Sequence, residues 1–108
     1  MKSLPPLKRG DTFILGCLAK DSDGLPENLS GVTLRAQARQ ASSGRLVAEF
    51  LVSKADQQTR PGEFSISAVD TDGWPIRVLL IDIEILVGPV VASTESMELP
   101  IIEDVTHD

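Results

Sequence analysis

The chain has 108 residues, room for one domain, with 42% hydrophobic and 24% charged residues, too apolar a mixture for a disordered protein. Ten basic residues scattered among sixteen acidic ones leave a net charge of −6, which argues against nucleic acid and anionic membrane surfaces as partners. No stretch approaches the ~20 apolar residues of a membrane helix, and one Trp and three Phe with no Tyr leave an aliphatic core to be expected.

Residues 1–8, which include Pro5-Pro6, read as an extended N-terminal arm of a single domain spanning 1–108. Arg9-Gly10-Asp11 follows, the tripeptide that adhesion receptors take from protruding loops. Here it leads directly into a β-rich run, so it reads as a turn before a strand. From Thr12 to Lys20 apolar residues alternate, placing Phe13, Leu15, Cys17 and Ala19 on one side. A lone Cys17 cannot close an internal disulfide and reads as a small buried hydrophobe. Ile14-Leu15-Gly16-Cys17 has the form of a lipoprotein attachment box, but Lys8 to Asp11 interrupt the apolar region an export signal needs.

Asp21-Ser22-Asp23-Gly24 then supplies turn chemistry. Val32 to Arg39 alternates without a fault, which predicts Leu34, Ala36 and Ala38 inward and Thr33, Arg35, Gln37 and Arg39 outward. Ser42-Ser43-Gly44 makes a short hairpin connection to a strand over Arg45 to Ser53. Its inward set is Leu46, Ala48, Phe50 and Val52, while Val47 and Leu51 give its second face apolar character. Glu63 to Ala68 is the next strand, bounded by Arg60-Pro61-Gly62 and Asp70-Thr71-Asp72-Gly73. Arg77 to Val87 is the longest, expected in a sheet interior, with Leu79, Ile81, Ile83, Ile85 and Val87 on one face. Pro89 ends it. Ser96 to Ile102, carrying Glu98 and Pro100 and preceded by Glu95, reads as a guarded edge strand.

Six or seven short strands with no helical period predict an all-β fold, an antiparallel immunoglobulin-like β-sandwich, with a small β-barrel as the alternative.

The candidate sites are few. The Asp21/Asp23 and Asp70/Asp72 loops resemble fragments of calcium loops, but each offers two carboxylates where calcium takes six to eight oxygens. Both read as turns, leaving ion binding open if loops combine. Asp82 and Glu84, about 7 Å apart on one strand face, form a solvated or partner-facing stripe rather than a catalytic pair. His107 and Cys17 do not suggest a zinc site, and no nucleophile elbow or phosphate-binding glycine loop occurs. The chain therefore reads as non-enzymatic, without metal or cofactor. Arg35, Gln37 and Arg39 on one strand, and Val47 and Leu51 on the next, are the candidate partner surface.

A wider pattern runs along the chain. Arg9-Gly10-Asp11-Thr12-Phe13, the run from Gly31 to Arg39 and Gly44-Arg45-Leu46 occur in order, followed by Pro61-Gly62-Glu63-Phe64, Trp74-Pro75, Asp82-Ile83, Ser93-Thr94 and Asp104-Val105-Thr106. Together they resemble small proteins of tailed-phage and prophage tail regions, and the N-terminal β-sandwich domains of baseplate proteins. One departure is Ile76-Arg77 after Trp74-Pro75, where a nearby glycine is expected. The resemblance implies a structural or assembly protein of a phage tail, at the baseplate or as a tail-fibre adaptor. It would be assembled in the bacterial cytoplasm and carried in the virion, with other tail proteins or further copies of itself as partners. The alternative is a carbohydrate- or ligand-binding module, for which Trp74 is the aromatic available to stack on a sugar.

Overall fold

A computed structural model describes residues 2–93 and 96–103. Glu95, His107 and the Asp104-Val105-Thr106 stretch lie outside them. Among the described residues there are ten strands and no helix. They are β1 (Lys2–Ser3), β2 (Leu7–Lys8), β3 (Phe13–Leu18), β4 (Thr33–Gln40), β5 (Leu46–Glu49), β6 (Leu51–Lys54), β7 (Glu63–Ala68), β8 (Val78–Val87), β9 (Val90–Ser93) and β10 (Met97–Ile102).

Two mostly antiparallel sheets share one apolar core. The larger runs β1-β10-β8-β4-β5, with β2 also on β10 and β9 on β8, and the smaller runs β3-β7-β6. Period-two patterning explains the layering. Leu34, Ala36 and Ala38 of β4, Leu79, Ile81 and Ile83 of β8, and Leu99 and Ile101 of β10 all point inward and are buried. They meet Phe13 of β3 and Phe64 and Ile66 of β7 from the opposite sheet. Phe50 lies between Phe13 and Trp74, with ring centroids 5.3 and 6.1 Å away, the second pair edge-to-face.

The expected strand over Arg45 to Ser53 is in fact two strands. β5 pairs with β4 in the larger sheet and β6 pairs with β7 in the smaller one. The chain changes sheets at Phe50, whose ring is buried and whose N–H donates to the Ala36 carbonyl at 2.9 Å. A register shift between Ala38 and Arg39 pairs Ala38 with Ala48 and Arg39 with Leu46, so Val47 is the extra residue of a β-bulge. The bulge reverses the expected facing: Val47 packs against the core and Leu46 is exposed. Period-two reading assumes an unbroken ladder, and it fails where a bulge and a sheet change fall within nine residues.

The final strand is not an edge. β10 pairs with β8 on one side and, in parallel, with β1 and β2 on the other. The arm is held there by Leu4, which is buried and whose N–H reaches the Glu98 carbonyl at 2.8 Å, and by Leu7, packed against the core. Pro100 lies between the two stretches that pair with the arm, opposite Leu4-Pro5-Pro6, so prolines on both chains fall where the parallel ladder is interrupted. Past Pro89 the chain forms a further strand, β9, which returns along the upper half of β8 and leaves Val87, Val90 and Val91 exposed.

Two buried polar side chains fasten the loops. Gln57 Oε1 accepts from the N–H groups of Leu29 (3.0 Å) and Gly62 (2.8 Å), and its Nε2 donates to the carbonyls of Ala55 (2.8 Å) and Glu63 (3.2 Å). All four of its hydrogen-bonding positions are used. Thr71 Oγ1 accepts from Gly10 N–H at 2.8 Å and donates to the Asp11 carbonyl at 2.7 Å. Neither role is visible in sequence, because both residues sit in polar, turn-like stretches that read as solvent-facing.

Candidate interaction surfaces

The outward face of the larger sheet is a ladder of polar and charged side chains. On β4, Arg35, Gln37 and Arg39 occupy alternate positions, and the register with β8 sets them opposite Glu84, Asp82 and Leu80. On the other side Gln37 stands opposite Glu49 of β5. Arg35 Nε donates to Glu49 Oε1 at 2.7 Å, and Gln37 Nε2 reaches the same oxygen at 3.5 Å. Arg39 donates to Gln37 Oε1 at 3.3 Å and to the Gly44 carbonyl at 3.1 Å. The side chains are thus linked across two strands into one chain, Arg39 to Gln37 to Glu49 to Arg35. Ser96 Oγ donates to Asp82 Oδ1 farther along the face.

The electrostatics follow from these contacts. The hydrogen bond and charge of Arg35 hold the Glu49 carboxyl below its usual range, and Glu49 raises the guanidinium of Arg35 in return. Both side chains are about half exposed, so solvent screens the pair, whose effect is mainly to fix geometry. With Glu98 opposite Leu80 on β10, the face sets two arginines among four carboxylates. Such alternation can select a partner by charge pattern, though it adds little to affinity until a partner excludes water.

Val47 and Leu51 do not join this face or each other. Val47 is half-buried at the bulge. Leu51, 70% exposed, lies on the outer face of the smaller sheet, in one row with Ser67 of β7 and Ile14 of β3. Three of the five candidate surface residues therefore form a contiguous face, and the other two lie elsewhere.

The remaining sequence candidates have structural partners. Arg9-Gly10-Asp11 has exposed side chains but a pinned backbone. Besides the two Thr71 bonds, Arg9 N–H donates to the Ile102 carbonyl (2.9 Å) and Asp11 N–H to the Lys8 carbonyl (3.0 Å). Gly10 has φ +99°, and a Cβ there would meet Asp72 Oδ1 at 3.0 Å, so the glycine is required by the turn. Asp21 Oδ1 accepts from Asp23 and Leu25 N–H, and Asp70 Oδ1 accepts from Asp72 N–H. These are side-chain-closed turns. Among the described residues no three His, Cys, Asp or Glu converge.

Trp74 is 5% exposed inside the aromatic cluster, which removes it as a stacking platform for a sugar. Cys17 is half-buried on the inward row of β3, and burial pushes its thiol up against a smaller opposing effect of Lys2. It lines an apolar cleft of about 530 Å³ between the sheets, together with Leu15, Phe64, Ile83, Ile85 and Met97. The chain matches no protein-family model and no curated protein.

Proposed function

We propose that this chain is a non-enzymatic interaction module, an immunoglobulin-like β-sandwich working as an assembly part of a phage or prophage tail. Strand order supports the immunoglobulin-like reading. The order β3-β7-β6 corresponds to strands B, E and D of that fold, and β10-β8-β4-β5 to G, F, C and C′. The strand that would flank β3 in such a fold is replaced by an arm paired to β10 instead. The tail assignment rests on the ordered sequence motifs from Arg9 onward, in a chain with a net charge of −6.

The observation that carries the interaction reading is the cross-strand chain from Arg39 to Arg35. A regular sheet face with its charged groups already held by neighbours can meet a partner with little further ordering of side chains. The partner would be another tail component presenting acidic groups to Arg35 and Arg39 and donors to Asp82 and Glu84, inside the assembled virion. The test is co-expression with the products of the adjacent genes, followed by size-exclusion chromatography. A co-eluting tail protein that is lost with Arg35→Glu plus Arg39→Glu, while the sheet circular dichroism is unchanged, supports the reading. Unchanged complex formation by the double variant would refute this face as the contact.

A further inference from the structure

A second surface stands apart from the β4 face. β3 pairs with β7 on one side only, so among the described residues its other edge presents unpaired N–H and C=O groups along six residues. Its inward row is incompletely covered. Phe13 is buried, but Leu15, Cys17 and Ala19 are only half-buried, as are Ile85 and Met97 across the gap between the sheets. The opening is the cleft of about 530 Å³, and Lys2 and Lys20 stand on its walls. Two of the ten cations of this acidic chain thus stand beside an incompletely covered stretch of core.

We propose that this cleft is a docking site for an extended segment of a partner protein, about six residues long, that adds to the free edge of β3. Its apolar side chains would fill the gap at alternate positions, and its carboxylates would face Lys2 and Lys20. Three features select this occupant. The unpaired ladder groups require complementary N–H and C=O groups, which a peptide in β conformation supplies and an acyl chain does not. The half-covered Leu15, Cys17 and Met97 require apolar side chains at period two. The lysines require negative charge. The inference is independent of the reading of the β4 face: of the residues lining the cleft only Ser96 also reaches that face, through Asp82, and the docking of the segment does not use it.

The test uses the acetylated, amidated peptide DVTVSVE, its lysine-flanked counterpart KVTVSVK, and dodecanoate, with the reaction of Cys17 with a disulfide reagent as reporter. DVTVSVE should slow Cys17 modification in a saturable way and shift the amide resonances of Ile14, Gly16 and Leu18. Lys2→Glu with Lys20→Glu, both at exposed side chains, should weaken its binding about tenfold while KVTVSVK gains. Three results would overturn the proposal: equal or absent protection by the two peptides up to millimolar concentration, protection by dodecanoate but not by peptide, or self-association that shields Cys17 before any peptide is added. The first two remove a peptide site of this charge, and the third makes a second copy the occupant.

Discussion

Gln57→Ala is the most informative single perturbation of this fold. The side chain lies 9% exposed among residues 55–62, a polar, glycine- and proline-containing connection between β6 and β7. It holds that connection to the turn that carries Leu29, which is fully buried. Truncation leaves two buried donors, Leu29 N–H and Gly62 N–H, without their partner. The two carbonyls lose less, because the Glu63 carbonyl keeps its bond from Ala55 N–H at 3.0 Å and both Nε2 bonds are only part-buried. Each orphaned buried donor costs about 1–3 kcal/mol. Partial entry of water offsets some of the loss, so about 3 kcal/mol is expected, a large share of the 5–15 kcal/mol typical of a domain. Urea unfolding followed by circular dichroism measures it, with Gln58→Ala as the exposed neighbour, expected within about 0.5 kcal/mol. A loss at Gln57 below about 1 kcal/mol, or equal losses at both glutamines, would show that the clamp does not hold the loops.

Three further outcomes follow from the same structure. Leu34→Ala should cost roughly 2–5 kcal/mol and Arg35→Ala no more than about 0.5 kcal/mol in the same assay; similar losses would mean the facing of β4 is wrong. Gly62→Ala should cost about 3 kcal/mol, from a left-handed backbone at about 1–2 kcal/mol and the displacement of a crowded neighbour. Here φ is +81° and the new Cβ would stand 2.5 Å from the Ala19 carbonyl oxygen, so a neutral effect would contradict the turn. Because Arg35 lowers the folded-state pKa of Glu49, the pair's contribution is present above the ordinary carboxyl range and is lost as pH falls through that lowered value. Wild type and Glu49→Gln should therefore differ slightly at neutral pH and low salt, and converge in acid; a gap that widens on acidification would reverse the assigned sign.

The legible part of the fold was whatever an uninterrupted two-residue period could specify. β4, β7 and β8 lie where alternation placed them, because each is a regular ladder with one face on the core. What escaped depended on partners distant in sequence. Nothing local tells that Leu4 and Leu7 will anchor an arm to β10, about 90 residues away, or that Phe50 will turn the chain into the other sheet. The strand β9 was masked by Gly88-Pro89, whose turn chemistry marks the end of β8 without announcing a return. For the candidate surface, the outward row of β4 was readable. Its bonds to Glu49 required the register with β5, and the displacement of Val47 required the bulge. Gln57 and Thr71 carry no sequence signal, since a polar residue in a loop is buried only when several backbone groups converge on it.

The most direct test of the assembly account is the location of the chain in particles. Cells carrying the gene would be induced for phage release, and purified particles labelled with gold-conjugated antibody to this chain for electron microscopy. The account predicts gold at the tail end, lost when Arg35→Glu and Arg39→Glu are introduced together. Particles that form normally and carry no label, with the chain left in the particle-free fraction, would contradict it.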